Sequence, residues 1–247
     1  METLKVDRIT GGYSKLPIVH EASIRAESGK IVSLVGPNGA GKSTFLKVIA
    51  GVLPAMSGSV LLEGSEVVNL PANKVARMGL AYVPQEANIF PSLTIRENLE
   101  MGGFILRGEL GHRIAHLYEL FPDLRDAEHK KAGTLSGGQR NLLAMARALM
   151  LDPKVLLLDE PTAGLSPKYT DVVWQKIGAI AKTGTAVVVV EQNVERALGN
   201  SDWAYVMVTG QNRVDGAPSD LRTVDLSAIF LGKKGELGPS VTNAAEA

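Results

Sequence analysis

The chain has 247 residues, equal numbers of acidic and basic side chains, and no cysteine. Zero formal charge speaks against the basic footprint of a nucleic-acid binder, and the lack of cysteine excludes a disulfide scaffold or a thiolate zinc centre. The composition, 45% apolar and 21% charged, is that of a globular protein; no signal-peptide pattern opens it, and no run of about 18 apolar residues could span a bilayer.

Leu4 to Ile9 alternates and reads as a strand. Gly11, Gly12 and Pro17 are expected to turn the chain, and Ile18 to Ala26 alternates again before a turn at Ser28-Gly29. Ile31 to Val35 is a short apolar run, as for a strand buried on both faces. A Gly-rich loop follows, then a helix from Lys42 to Ala50 ended by Gly51. Val60 to Leu62 and Leu80 to Val83 are further strand candidates.

From Ser92 to about Lys131 the apolar residues recur at helical spacing: Leu93, Ile95, Leu99, then Ile114, Leu117, Tyr118, Leu120 and Phe121. This predicts a helical subdomain inserted into an α/β core. Ser136 to Met150 reads as a helix and Val155 to Leu158 as a buried strand. Tyr169 to Lys182 is a helix, Ala186 to Val190 a buried strand, and Val194 to Leu198 a short helix. Tyr205 to Thr209 and Gln211 to Asp215 suggest a hairpin. The residues after Gly232 are small and polar and are expected to fray.

Three motifs carry chemistry. Gly36-Pro37-Asn38-Gly39-Ala40-Gly41-Lys42-Ser43-Thr44 follows a strand and opens a helix, the context of a phosphate loop. Its glycines let backbone N–H groups turn toward phosphate oxygens, and the helix N-terminus adds free donors. Lys42 would reach the β- and γ-phosphates, and Ser43 would give an oxygen to Mg²⁺. Val155 to Leu158 then delivers Asp159 and Glu160. Asp159 suits a magnesium held partly through water, and Glu160 suits a base that polarises an attacking water. Leu135-Ser136-Gly137-Gly138-Gln139 forms a second Gly-rich helix start with Ser136 as N-cap. One monomer cannot easily satisfy two phosphate cradles with one nucleotide.

With these motifs in this order, the chain resembles the ATP-binding cassette family from about Leu4 to Gly232. The resemblance implies a cassette fold of the P-loop NTPase class: a mixed, largely parallel core sheet, an antiparallel β subdomain and an inserted helical subdomain. The domain is expected over 4–235, with the insert at about 92–150 and a flexible tail at 236–247. In the family two cassettes pair head to tail, and the signature loop of one closes on the ATP held by the other. Residues 135–139 would therefore contact the partner's ATP. Tyr13 resembles the family's adenine-stacking aromatic, placed in a loop. Gln85 resembles the glutamine that approaches Mg²⁺ and the water and senses the membrane partner.

Two positions depart from the family pattern. Val190-Glu191-Gln192-Asn193 puts Gln192 where a histidine is usual, so a neutral amide replaces a group that can carry a proton's charge. Ser166 replaces a common aspartate in the loop after Glu160. The Glu-Gln-Asn segment, Gly164-Leu165-Ser166-Pro167 and Phe230-Leu231-Gly232 are similar to one branch: the second ATPase subunit of importers for branched-chain amino acids, amides or urea. Gln139-Arg140-Asn141 is untypical of it. The resemblance implies MgATP, a second cassette, permease subunits and a periplasmic or lipid-anchored binding protein. It implies a cytoplasmic subunit, peripheral on the inner face of the membrane, with no nucleic-acid partner. An exporter ATPase and a soluble non-transport cassette are the alternatives. Against the latter, about fifty residues separate Gln85 from the signature and no sustained heptads fill them.

Overall fold

The computed structural model describes residues 2–231 except 107 and 109; the expected tail, and residues 232–235 of the expected domain, lie outside the described residues. The chain opens with a long antiparallel hairpin of β1 (Glu2–Tyr13) and β2 (Leu16–Glu27). Contrary to the expected glycine turn, the chain does not reverse at Gly11 and Gly12. Gly11 and Gly12 lie inside β1, opposite Val19 and Pro17, and the chain reverses at Ser14 and Lys15. A Cβ on Gly12 would come within 2.2 Å of the Leu16 carbonyl oxygen, so glycine is required by strand approach and not by a turn.

Next come β3 (Ile31–Val35), α1 (Lys42–Ile49), β4 (Ala55–Leu62), β5 (Ser65–Glu66), α2 (Ala72–Arg77) and β6 (Leu80–Val83). Helices α3 (Ile95–Gly102), α4 (Gly111–Leu120), α5 (Pro122–Arg125) and α6 (Gly137–Leu149) separate β6 from β7 (Val155–Asp159). The chain continues through α7 (Pro167–Lys182), β8 (Ala186–Glu191), α8 (Val194–Gly199), β9 (Trp203–Val208), β10 (Gln211–Gly216), α9 (Pro218–Leu221) and α10 (Leu226–Phe230).

Two sheets result. One is antiparallel, in the order β2-β1-β4-β5; the other runs β10-β9-β3-β8-β7-β6. In the second sheet all neighbours are parallel except β10, which is antiparallel to β9. Every residue of β3, β7 and β8 is buried, which explains their unbroken apolar character. Along β7 the side chains alternate between two cores. Leu156 and Leu158 join Leu142, Met145, Trp174 and Ile177 of α6 and α7. Val155 and Leu157 join Phe45 and Leu46 of α1 and Leu4 and Ile24 of the antiparallel sheet. Full burial of Phe45 and Leu46, each contributing about 1.5–3 kcal/mol, fixes the seat of α1 and with it the direction of Lys42.

The parallel order brings the carboxyl ends of β3, β8 and β7 side by side. Glycine-rich loop, Gln192 and Glu160 thus emerge along one edge of the sheet, where ligands of open α/β sheets bind.

Candidate nucleotide site

The loop between β3 and α1 encloses a cleft of about 360 Å³, lined by residues 38–44 together with Ile18, Gln85, Glu160 and Gln192. Gly41 is the N-cap of α1 with φ 97°, in the left-handed region where glycine is at ease. A Cβ on Gly36 would fall 2.0 Å from the Met207 carbonyl oxygen, so the loop can pass β9 only as glycine. Gly39 has open space on its side, consistent with a wall that a ligand approaches.

Lys42 is buried, and its Nζ donates to the carbonyl oxygens of Gly36 and Pro37 at 2.8 and 3.0 Å. Burial holds its pKa below the ordinary lysine value, opposed by Glu160, Asp159 and Glu191. The cation is thus held inside the loop, beside the backbone donors that would meet phosphate. Ser43 Oγ donates to Asp159 Oδ1 at 2.8 Å, and Tyr82 OH donates to Asp159 Oδ2 at 3.1 Å. Burial first, and then Asp159, keeps the Tyr82 hydroxyl protonated far above the usual tyrosine range. Ser43 and Asp159 form an all-oxygen donor set. Two such donors suit Mg²⁺, which keeps most of its waters and takes the rest of its shell from phosphates. Among the described residues no cluster of three acidic or histidine side chains could hold a metal without such help.

Glu160 follows β7 with φ 49°, a strained setting for a residue other than glycine. Its N–H donates to Val190 O at 3.0 Å, which pins the turn to β8. Gln85 Nε2 donates to Glu160 Oε2 at 3.0 Å, and Gln192 Nε2 donates to the same oxygen. Two amides therefore orient one buried carboxylate at the cleft floor. Behind them, Thr162 Oγ1 donates to Glu191 Oε1 at 2.7 Å, and Asn141 Nδ2 donates to Pro161 O at 2.7 Å.

The remaining expected residues lie apart from this cleft. Tyr13 is the last residue of β1, not a loop residue; it is half exposed and accepts a hydrogen bond from Lys47 Nζ at 3.3 Å. It does not line the cleft, whereas Ile18 of the facing strand does. Ser136 is an exposed N-cap of α6 in a reciprocal capping box with Gln139. Gly138 is buried against Tyr169, where a Cβ would sit 2.3 Å from the ring. Leu135 is buried in the core, and Gly137 faces out. The sequence reading missed Ile18, Tyr82, Asn141, Thr162 and Glu191; only Tyr82, a polar tip on a strand bound for this edge, offered a signal.

Residues 19–163 match the family model described as ABC transporter. The chain belongs to the ABC transporter family. It is an ABC transporter ATPase, and its fold is the cassette fold. The segment matched runs from β2 through both phosphate-side motifs, the signature and Glu160, and stops short of Gln192. The cassette is 41% identical over 209 residues to the high-affinity branched-chain amino acid transport ATP-binding protein BraG of Pseudomonas aeruginosa, covering 84% of this chain and 90% of that one. It is 33% identical over 241 residues to the lipopolysaccharide export system ATP-binding protein LptB of Escherichia coli, covering 94% and 98%. The crystal structure of an ADP-bound cassette of an ABC transporter superposes with a TM-score of 0.84 at 26% identity, covering 95% of this chain and all of that one. No described helix is long and apolar enough to cross a membrane.

Proposed function

We propose that this ATPase drives a membrane importer for branched-chain amino acids or related amides or urea, with MgATP sandwiched between two cassettes. The observation that carries the sandwich is the separation of two cradles. Lys42, Ser43 and Glu160 line one cleft, with Asp159 hydrogen-bonded to Ser43 beside it, and the exposed Ser136 helix start is no part of that cleft. A second cassette would bring its own Ser136 to the γ-phosphate, as the family resemblance implies.

In that assembly the loop donors and Lys42 bind the triphosphate. Ser43, Asp159 (through water) and the side-chain oxygen of Gln85 would hold magnesium, which would supply neutralisation of the charge developing at the transferred phosphoryl group. Glu160, oriented by Gln85 and Gln192, takes the proton from water; Gln192 donates to the γ-phosphate when the nucleotide is present. Tyr13 supplies a face for adenine, beside the Lys47 cation.

The permease contact lies at a groove of about 400 Å³ along β6, lined among others by Val52, Phe90, Met101, Ala144 and Arg147. Phe90 is 41% exposed, yet its backbone is clamped by Asn98, which accepts from its N–H at 2.8 Å and donates to its carbonyl at 3.0 Å. Arg147 stacks 4.9 Å from its ring. A rigidly presented aromatic of this kind suits an apolar helix from a partner.

The higher identity to the amino-acid transport subunit than to the export subunit, together with Gln192, favours import. Reconstitution with membrane permease subunits and a substrate-binding protein that co-purify with it tests this. ATP-dependent accumulation of leucine, an amide or urea is expected; outward movement of a lipid instead would overturn the importer reading.

A further inference from the structure

One side chain touches both the metal-side acid and the groove. Tyr82 lies on β6, the outer strand of the six-stranded sheet, and is one of the residues lining the groove. Its hydroxyl donates to Asp159 Oδ2 at 3.1 Å, while Ser43 holds Asp159 Oδ1 at 2.8 Å. The two carboxylate oxygens therefore have separate donors. If Ser43 turned its hydroxyl oxygen to a bound magnesium ion, Asp159 would lose one of these donors and keep Tyr82. Asp159 is 4% exposed, so a free second oxygen there would be costly. The donor that remains sets which way the carboxylate faces.

We propose that Tyr82 is a positioning residue for the metal: it fixes the rotation of Asp159 and passes the state of the groove to it. This rests on the reading of Asp159 as the magnesium acid. A metal-ligating carboxylate is commonly held by an outer hydrogen bond, and loss of such a partner lowers metal affinity by about 10–100-fold. Across the ladder Tyr82 pairs with Leu157 of β7, the strand that ends in Asp159 and leads into Glu160. Displacement of β6 by a helix seated in the groove would move the hydroxyl relative to Asp159.

The test compares wild type, Tyr82→Phe and Asp159→Asn by calorimetric titration with ATP, with and without magnesium. Phe keeps the ring, and a thermal melt confirms that each variant is folded. The expected result is at least a fivefold loss of magnesium-dependent ATP affinity in Tyr82→Phe, with affinity in excess EDTA unchanged. In the complete complex, the permease is expected to shift the magnesium half-saturation of the wild type and to leave that of Tyr82→Phe unshifted. If Tyr82→Phe titrates like wild type while Asp159→Asn is weakened, the proposal is overturned and the reading of Asp159 stands. If Asp159→Asn keeps full magnesium dependence, the reading of Asp159 fails and the proposal with it. Equal losses with and without magnesium would mark Tyr82 as a packing residue only and overturn the proposal.

Discussion

Gln192 Nε2 donates to Glu160 Oε2, the same oxygen that Gln85 reaches at 3.0 Å. The carboxylate is thus bound on one oxygen by two neutral amides. Its other oxygen is the one to which a water can be hydrogen-bonded. Replacing the carboxylate by an amide keeps shape and removes the proton acceptor. Glu160→Gln is expected to bind ATP normally, to turn over at least about a hundredfold more slowly, and to accumulate an ATP-bound dimer. Steady-state hydrolysis and gel filtration with ATP check this. Wild-type turnover would refute the assignment of Glu160 as base.

The amide at 192 has no proton to gain or lose near neutrality, so it contributes no titration to the pH–rate profile. An imidazole there titrates near an unperturbed pKa of about 6.5. Gln192→His should therefore keep ATP affinity within about tenfold and acquire an inflection between about pH 5 and 8 that the parent lacks. Complete loss of nucleotide binding in this variant would show that Gln192 does more than contact the γ-phosphate.

Behind Gln192, burial raises the Glu191 carboxyl above its ordinary pKa, against hydrogen bonds from Thr162 and the Gln192 backbone. A carboxyl with a raised folded-state pKa holds its proton more tightly when folded. Its favourable contribution is full below the unfolded value of 4.5 and is lost as pH rises through the folded value. At neutral pH the buried charge opposes folding. Glu191→Gln keeps an acceptor for Thr162 and removes that charge. Its Tm is expected to exceed that of the parent near about pH 8, with the gap closing as pH falls below the carboxylate range. A gap that stays constant with pH would mean that the charge at 191 is not what sets it.

The phosphate loop, Asp159 and Glu160 could be read from the chain because each is a local pattern: an apolar strand, then glycines or acids at its end. The contacts that orient them are not local. Tyr82 and Asp159 are 77 residues apart, Thr162 and Glu191 are 29 apart, and Asn141 reaches Pro161 across 20. The order of β6, β7 and β8 brings the first two pairs together, and α6 carries Asn141 to the third. The reach of β1 to Tyr13 was hidden by register slips around Ile9, Gly11 and Gly12, which break the alternation. Helix α2 escaped notice because it has six residues and buries only Val75.

Ser136 has two separable duties. As N-cap it accepts from the Gln139 backbone at 3.4 Å, a long bond, while Gln139 returns the favour to the Ser136 N–H at 3.1 Å. Loss of the cap costs about 1 kcal/mol, equivalent to a fall in Tm of roughly 2–4 °C in a chain of this size. If capping were its whole role, Ser136→Asn would be silent, because asparagine caps as well as serine. If its hydroxyl also closes on the partner's γ-phosphate, the longer amide will not fit the same geometry. Ser136→Ala is thus expected to lose a few degrees of Tm and Ser136→Asn almost none. Both are expected to lose ATP-driven dimerisation when placed in the slow Glu160→Gln background. Melting curves and sedimentation with ATP separate the two duties. A fully dimerising Ser136→Asn would leave the signature serine with no role beyond starting its own helix.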